Sequence, residues 1–286
     1  MIRPRSRHAL WFGVLLVWFC SFELAATSQP VRYAGKPRTD YYVEVLQLAL
    51  SYPSGRRFQL MASGLDVPKQ RAFELMARGQ GIDVLYGTAS EERLARYRAV
   101  PFALLRGLNG YRVALVRRSQ ADLLKNVHSL TQLSQLRAVQ FASWSDTAVL
   151  QANQLPVETS TDLRGLFGML QLSRGDYLPL SVLEVEAELA KHAQFDLVID
   201  QHLLLYYPTA TYFFVADSNE KLAQALLYGL KQAAADGKLD QLSNRYFGAQ
   251  LQRLQLEQRR IIGLVNPLLP PGVPLHPPAS SPWLLR

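Results

Sequence analysis

Two long β-rich runs decide how this chain is organised: Gly110 to Val116 (GYRVALV) and Tyr206 to Val215 (YYPTATYFFV). Between them the sequence alternates short strands and helices. A segment that leaves one α/β unit and a segment that returns to it are what a two-lobed chain with a double crossover requires. The expectation is therefore an α/β protein whose first lobe is built from both ends of the chain and whose second lobe is inserted between them.

Outward from these runs, the alternation is regular. Before the first run come a strand over Val31–Ala34, a helix over Tyr41–Leu50 and a strand over Phe58–Met61. A helix opened by Pro68 and stopped by Gly79 follows, then a strand over Ile82–Tyr86 that Gly87 ends. That βαβαβ order points to a mostly parallel sheet covered by helices. Between the runs, helices are expected over Ser129–Leu136, Asp146–Asn153 and Val182–His192. Strands are expected over Ala138–Phe141, Val157–Thr159, Asp176–Leu178 and Phe195–Ile199. Leu163, Leu166, Phe167 and Leu170 line one face of a further helix, with Thr161 or Asp162 as its cap. After the second run, Asp217 and Glu220 form a capping pair for a long helix that ends near Asp236-Gly237 and packs back on lobe 1.

At 49% hydrophobic and 19% charged, the 286 residues read as globular, and a single cysteine excludes a disulfide scaffold. Arg3, Arg5 and Arg7 precede a short apolar run, residues 11–22, that is too short to span a bilayer comfortably, and Ala26-Thr27-Ser28 supplies small residues for cleavage. Residues 1–28 are read as a secretory signal cut before Gln29, with Leu24-Ala25-Ala26 as a competing site and an uncleaved anchor as the alternative. Phe19 before Cys20 argues against lipidation. The signal implies a periplasmic location. Residues 29–286 keep a net charge of +6 of the +8 total, scattered as isolated pairs such as Arg117-Arg118, so nucleic-acid binding is not expected. The expected division is lobe 1 over 29–110 plus 206–256 and lobe 2 over 111–205. A proline-rich strap or loose end spans 257–286.

Four stretches resemble the extracellular solute-binding proteins of the amino-acid type (family 3), which have the type 2 periplasmic-binding fold. They are Gly81-Ile82-Asp83-Val84 with Thr88 and Glu92-Arg93, Pro101-Phe102 with Gly110-Tyr111-Arg112-Val113, Phe195 to Asp200, and Asp236-Gly237-Lys238-Leu239. Tyr41-Tyr42, Ser143 to Asp146, Leu166 to Leu170 and Asn266 to Pro271 resemble a divergent branch, the transporter substrate-binding-domain proteins. In that branch the last stretch closes the chain, which implies an ordered tail. Where the branch tends to carry Arg after a strand proline, this chain has Leu180.

The resemblance implies that Arg93 forks onto a ligand carboxylate with Thr88 beside it. The chemistry fits, because guanidinium offers two parallel donors. Arg93 also follows the carboxyl end of a strand, where open α/β sheets bind ligands. The bland alternative is an exposed arginine near Arg96 and Arg98. Tyr86, Tyr41 and Tyr42 are candidates for an apolar or stacking wall, with ordinary packing favoured for Tyr42. Ser143, Trp144, Asp146 and Thr147 occupy a strand-to-helix turn whose free N–H groups favour an anion, although Asp146 also suits a plain helix cap. Asp200 is a candidate for a ligand ammonium, but the resemblance puts the family's acid one position later, at Gln201. On a strand that shift faces the other side.

Catalytic signatures are lacking: the sequence has no HExxH, CxxC or GxSxG. Asp196, Asp200 and His202 would share one strand face, a poor geometry for a closed metal site. The expectation is a non-enzymatic, monomeric binding protein without a cofactor. It would take a small polar or carboxylate-bearing, amino-acid-like ligand for ABC-type uptake through a membrane permease. The alternatives are a sensing module that presents its closed form to a membrane receptor, and a cleft enzyme.

Overall fold

The computed structural model describes residues 28–275. The expected signal therefore lies outside the described residues except for Ser28, as do Pro277, Pro278 and Pro282 of the tail.

Lobe 1 opens with β1 (Gln29–Tyr33), α1 (Tyr41–Leu50), β2 (Phe58–Ala62), α2 (Lys69–Ala77), β3 (Val84–Thr88), α3 (Glu91–Arg96) and β4 (Arg98–Val100). Asp40 starts α1 by accepting from the Val43 N–H at 2.9 Å, and Ser90 starts α3 in the same way through the Arg93 N–H. Lobe 2 contains β5 (Tyr111–Arg117), α4 (Leu130–Leu133), β6 (Ala138–Phe141), α5 (Ser145–Ala152) and β7 (Val157–Ser160). It continues through α6 (Leu163–Gln171), β8 (Leu178–Ser181), α7 (Val185–Lys191), β9 (Leu197–Ile199) and β10 (Leu203–Tyr206). The chain then returns through β11 (Thr211–Val215), α8 (Glu220–Ala235) and α9 (Lys238–Ser243), and ends with α10 (Ala249–Leu254) and β12 (Arg260–Gly263).

The sheet of lobe 1 has the order β2-β1-β3-β11-β4. Its β1, β2 and β3 are parallel, as the βαβαβ pattern predicts, and β11 is inserted antiparallel between β3 and β4. In lobe 2, β5 is antiparallel to β8, β9 and β10, while β6 and β7 form a parallel pair. Lobe 2 thus repeats the pattern of lobe 1: its other strands run one way and the entering strand β5 alone is reversed between them, as β11 is in lobe 1. Helix α8 lies on α1 closely enough that a Cβ on Gly229 would sit 1.9 Å from the Ala49 carbonyl oxygen. Its cap is Asn219, which accepts from the Leu222 N–H, in place of the expected Asp217–Glu220 pair.

Four segments join the lobes. The double crossover passes through residues 101–110 and 207–210. These touch: Tyr207 N–H donates to Gly110 O at 3.1 Å, and a Cβ on Gly110 would lie 2.2 Å from Tyr207 O. That contact leaves room only for glycine. A third crossing follows α9. Leu239 and Leu242 belong to the apolar core of lobe 1, whereas Leu251, Leu254 and Leu256 are buried with Leu115, Leu166, Phe167 and Leu178 of lobe 2. The sequence reading carries lobe 1 through residue 256. These three leucines move residues 249–256 to lobe 2, each gaining about 1.5–3 kcal/mol by burial there.

The tail is likewise corrected. Arg260–Gly263 is a strand, β12, parallel to β10, so the stretch from 257 onward is only partly a strap. Beyond it the chain crosses a fourth time. The Asn153 side chain clamps Val265 through its N–H and carbonyl at 2.9 and 2.8 Å, Asn266 Nδ2 donates to Pro208 O at 2.9 Å, and Tyr212 donates to Pro274 O at 2.5 Å. Val273 and Leu275 pack on the lobe 1 cluster around Phe73 and Phe214. The proline-rich segment is an ordered strap across the hinge as far as residue 275.

Candidate functional site

Between the lobes lies a cleft of about 1160 Å³, lined from both sides. Each lobe offers the carboxyl end of a strand: β3 leads through Thr88 into α3, and β6 leads through Ser143 and Trp144 into α5. Of the residues expected at a site, Arg93, Thr88, Tyr86, Tyr41, Ser143, Trp144, Asp146 and Thr147 line this cleft.

Arg93 is half-buried in the last turn of α3. Its Nη1 donates to the Thr88 carbonyl at 2.9 Å, and its guanidinium lies 5.3 Å from the Phe73 ring centre. Among the described residues no carboxylate comes within ion-pair distance of it. The ring and the carbonyl hold it in place while donors remain free. Gly87 keeps the strand end slim here, since a Cβ would lie 3.0 Å from Phe73 and 3.5 Å from the Arg93 side chain.

Tyr42 and Tyr86 stack face to face at 3.6 Å and 7°. The wall is thus a pair, and Tyr42, for which ordinary packing is expected from sequence, lines the cleft as part of it. Burial raises both hydroxyls above their usual pKa, so both are neutral donors at neutral pH. Tyr41 is committed inward. It donates to Leu104 O at 2.7 Å and contacts Ser243 Oγ at 3.0 Å, and burial pushes its hydroxyl up to about 12.

On lobe 2, α5 begins at Ser145 with no side chain capping it, and its first turn borders the cleft. Thr147 donates its hydroxyl to Phe141 O at 2.9 Å, which fixes the turn. Asp146 does not cap the helix. It receives Arg112 Nε at 2.5 Å and the Tyr207 hydroxyl at 2.8 Å, and Arg112 also reaches Asn109 O and the Tyr207 oxygen, each at 2.5 Å. Arg112 and Asp146 side chains are 11% and 14% exposed, so this ties the crossover residue Tyr207 to lobe 2 in a poorly solvated place. Burial works to raise the Asp146 pKa, but Arg112 and Tyr207 outweigh it and hold the carboxyl below its ordinary range.

Asp200 is the correction. It is 0% exposed and absent from the cleft lining. Its carboxylate accepts from the N–H groups of His202 and Leu203 at 3.0 and 2.8 Å, and Arg259 Nη1 stands 3.9 Å away. It organises the turn between β9 and β10 and the start of β12. An ammonium anchor at Asp200 is therefore excluded by position, and Gln201 does not line the cleft either. Leu180 is buried in the lobe 2 core and offers no polar contact. Asp196 pairs with Arg118 and His202 with Asp122, and no cluster of metal-ligating side chains occurs among the described residues.

Several lining residues were not legible beforehand: Arg112, Tyr207, Asn109, Glu184, Lys69, and Asn266 with Leu268 of the strap. Glu184 accepts from the Ser181 N–H at 3.2 Å, and crowding in the cleft raises its pKa. The clearest overlooked signal is Lys69. It directly follows Pro68 at the start of α2, where acidic residues are favoured.

Two α/β lobes joined by a double crossover around a ligand-sized cleft define the type 2 periplasmic-binding fold. Solved structures agree. The probable amino-acid ABC transporter extracellular-binding protein ytmK from Bacillus subtilis superposes with a TM-score of 0.57 at 14% identity, covering 77% of this chain and 98% of that one. The L-cystine solute receptor of Neisseria gonorrhoeae, unliganded and open, gives 0.53 at 16% identity over 78% and 94%. The ancestral amino acid-binding protein AncCDT-1, a precursor of cyclohexadienyl dehydratase, gives 0.50 at 14% over 76% and 95%. No family model and no curated protein sequence matches the chain. No helix among the described residues is long and apolar enough to cross a membrane.

Proposed function

We propose that this chain is an exported, monomeric solute-binding protein that captures a small carboxylate-bearing, amino-acid-like ligand between its lobes without transforming it. The observation that carries this reading is Arg93. It is a half-buried guanidinium at the carboxyl end of β3, without a carboxylate partner among the described residues, facing a cleft whose opposite wall holds the uncapped start of α5. Its free donors match a carboxylate in geometry and charge. The stacked Tyr42–Tyr86 pair supplies a flat apolar surface beside it. Ligand contacts from both lobes favour the closed arrangement, so binding and hinge closure are coupled. Structural neighbours that are named as transporter binding proteins and a cystine receptor support delivery to a membrane permease.

The test begins with protein isolated from a periplasmic fraction and unfolded. The released small molecules are identified by mass spectrometry and returned to the refolded protein in a calorimeter. A recovered carboxylate that binds stoichiometrically and is returned unchanged supports the reading. Its chemical conversion by the protein would make the cleft catalytic instead.

A further inference from the structure

We propose that Lys69 is a second cationic anchor, set beside Arg93 so that the lobe 1 wall of the cleft selects ligands carrying two negative charges. This rests on the reading of Arg93 as a carboxylate site. It narrows that reading to ligands that carry a second acidic group, as an acidic amino acid or a dicarboxylate does.

Lys69 is held where a cation is unwelcome. It is the first residue of α2, whose cap, Pro68, has no side chain to satisfy the helix start and whose first turn contains no acid. The helix dipole disfavours a positive charge there. Crowding by the cleft walls and the like charge of Arg93 pull the ammonium down to about 8, although the residue as a whole is exposed. Its Nζ lies 4.4 Å from the centre of the Tyr86 ring, whose other partner is the Tyr42 ring, so the ammonium is kept at the stacking wall. It borders both the main cleft and an adjoining pocket of about 180 Å³.

The other charges of the cleft are already paired or stand elsewhere. Asp40 receives Arg38 Nε at 2.5 Å and caps α1, and Asp146 is bound by Arg112 and Tyr207. Glu184 belongs to lobe 2, on the Ser181 N–H. Among the described residues no carboxylate lies within ion-pair distance of Lys69 or Arg93. Two like charges on one wall repel each other until an anion lies between them. A dianion relieves both the mutual repulsion and the unfavourable helix end. A ligand ammonium placed at this wall would meet two cations.

The probes are carboxylates matched in length: butyrate against succinate, and pentanoate against glutarate. They are titrated calorimetrically into full-length mature protein freed of bound molecules. The expected result is a dicarboxylate advantage of about tenfold or more, lost in Lys69→Gln and largely kept in Lys69→Arg, with monocarboxylate affinity changed less than about twofold. A second readout is proton uptake. The titratable and charged groups lining Lys69's two pockets are Arg38, Asp40, Arg93, Arg112, Asp146 and Glu184, together with Tyr33, Tyr41, Tyr42, Tyr86, Tyr207 and Tyr246. An anion favours the charged lysine, so near pH 8 succinate binding takes up about half a proton in the wild type and none in Lys69→Gln. Equal affinity for both members of each pair, or an undiminished advantage in Lys69→Gln, overturns the proposal and leaves the Arg93 site standing. Absence of binding by every carboxylate overturns both together.

Discussion

Replacing Arg259 by alanine is expected to destabilise lobe 2 more than any substitution in the cleft. The guanidinium is buried and donates to the carbonyls of Leu254, Asp200 and Leu203, joining the end of α10 and the β9–β10 turn to β12. Its loss strands the fully buried Asp200 carboxylate on two backbone N–H groups. Removing one member of a buried pair costs about 3–5 kcal/mol, and the lost carbonyl contacts place this variant toward the upper end. The sign of the pH dependence is also fixed. Burial raises the Asp200 pKa in the folded state, despite the two N–H bonds and Arg259. A carboxyl with a raised folded pKa favours the folded state below its unfolded value, and that contribution fades as pH rises through the folded value. Without Arg259 the shift grows, so the deficit is largest near neutrality and shrinks toward about pH 4. Urea unfolding of both proteins across that range measures it. A loss below about 1 kcal/mol, or a deficit independent of pH, would refute the reasoning.

Three further outcomes follow from the hinge. Gly110→Ala sets a Cβ against the Tyr207 carbonyl and should cost about 1–3 kcal/mol in urea unfolding; unchanged stability would mean that the crossovers stand further apart. Asp146→Asn should cost about 1–3 kcal/mol at neutral pH by leaving Arg112 short of its anion. Because the folded pKa of Asp146 is depressed, that contribution is present above about pH 4 and lost as pH falls through the folded value, so variant and wild type should converge in acid. Ending the chain after Val265 removes the Asn266 and Pro274 hydrogen bonds and the Val273 and Leu275 contacts; a drop of about 1–3 kcal/mol is expected, and full stability would show the strap to be passive.

What the sequence disclosed and what it hid have physical causes. The periodic elements were legible because each carries its own signal: α1 and α6 have caps and apolar faces, and β3 is an apolar run, although it continues through Gly87 to Thr88 instead of ending at the glycine. Arg93 and Thr88 could be placed because they follow such a strand directly. The network of Arg112, Asp146 and Tyr207 could not, since its members lie 34 and 61 positions apart and meet only through the crossover. Asp200 misled because it lies past the end of β9, in a buried turn away from the cleft, where it serves the backbone N–H groups of His202 and Leu203. In the tail, seven prolines after residue 266 masked two isoleucines, Ile261 and Ile262, that form β12 just before them.

Arg93 is where the functional account is most exposed. Calorimetry with the ligand recovered from the native protein, on wild type and Arg93→Ala, run beside thermal melts of both without ligand, tests it directly. The account predicts a ten- to hundred-fold loss of affinity, about 1.5–3 kcal/mol, a smaller loss in Arg93→Lys, and unaltered melting of the unliganded protein. Unchanged affinity in Arg93→Ala would remove this residue from the site. A collapse of the unliganded melt would make Arg93 a structural residue and contradict the carboxylate reading of the cleft.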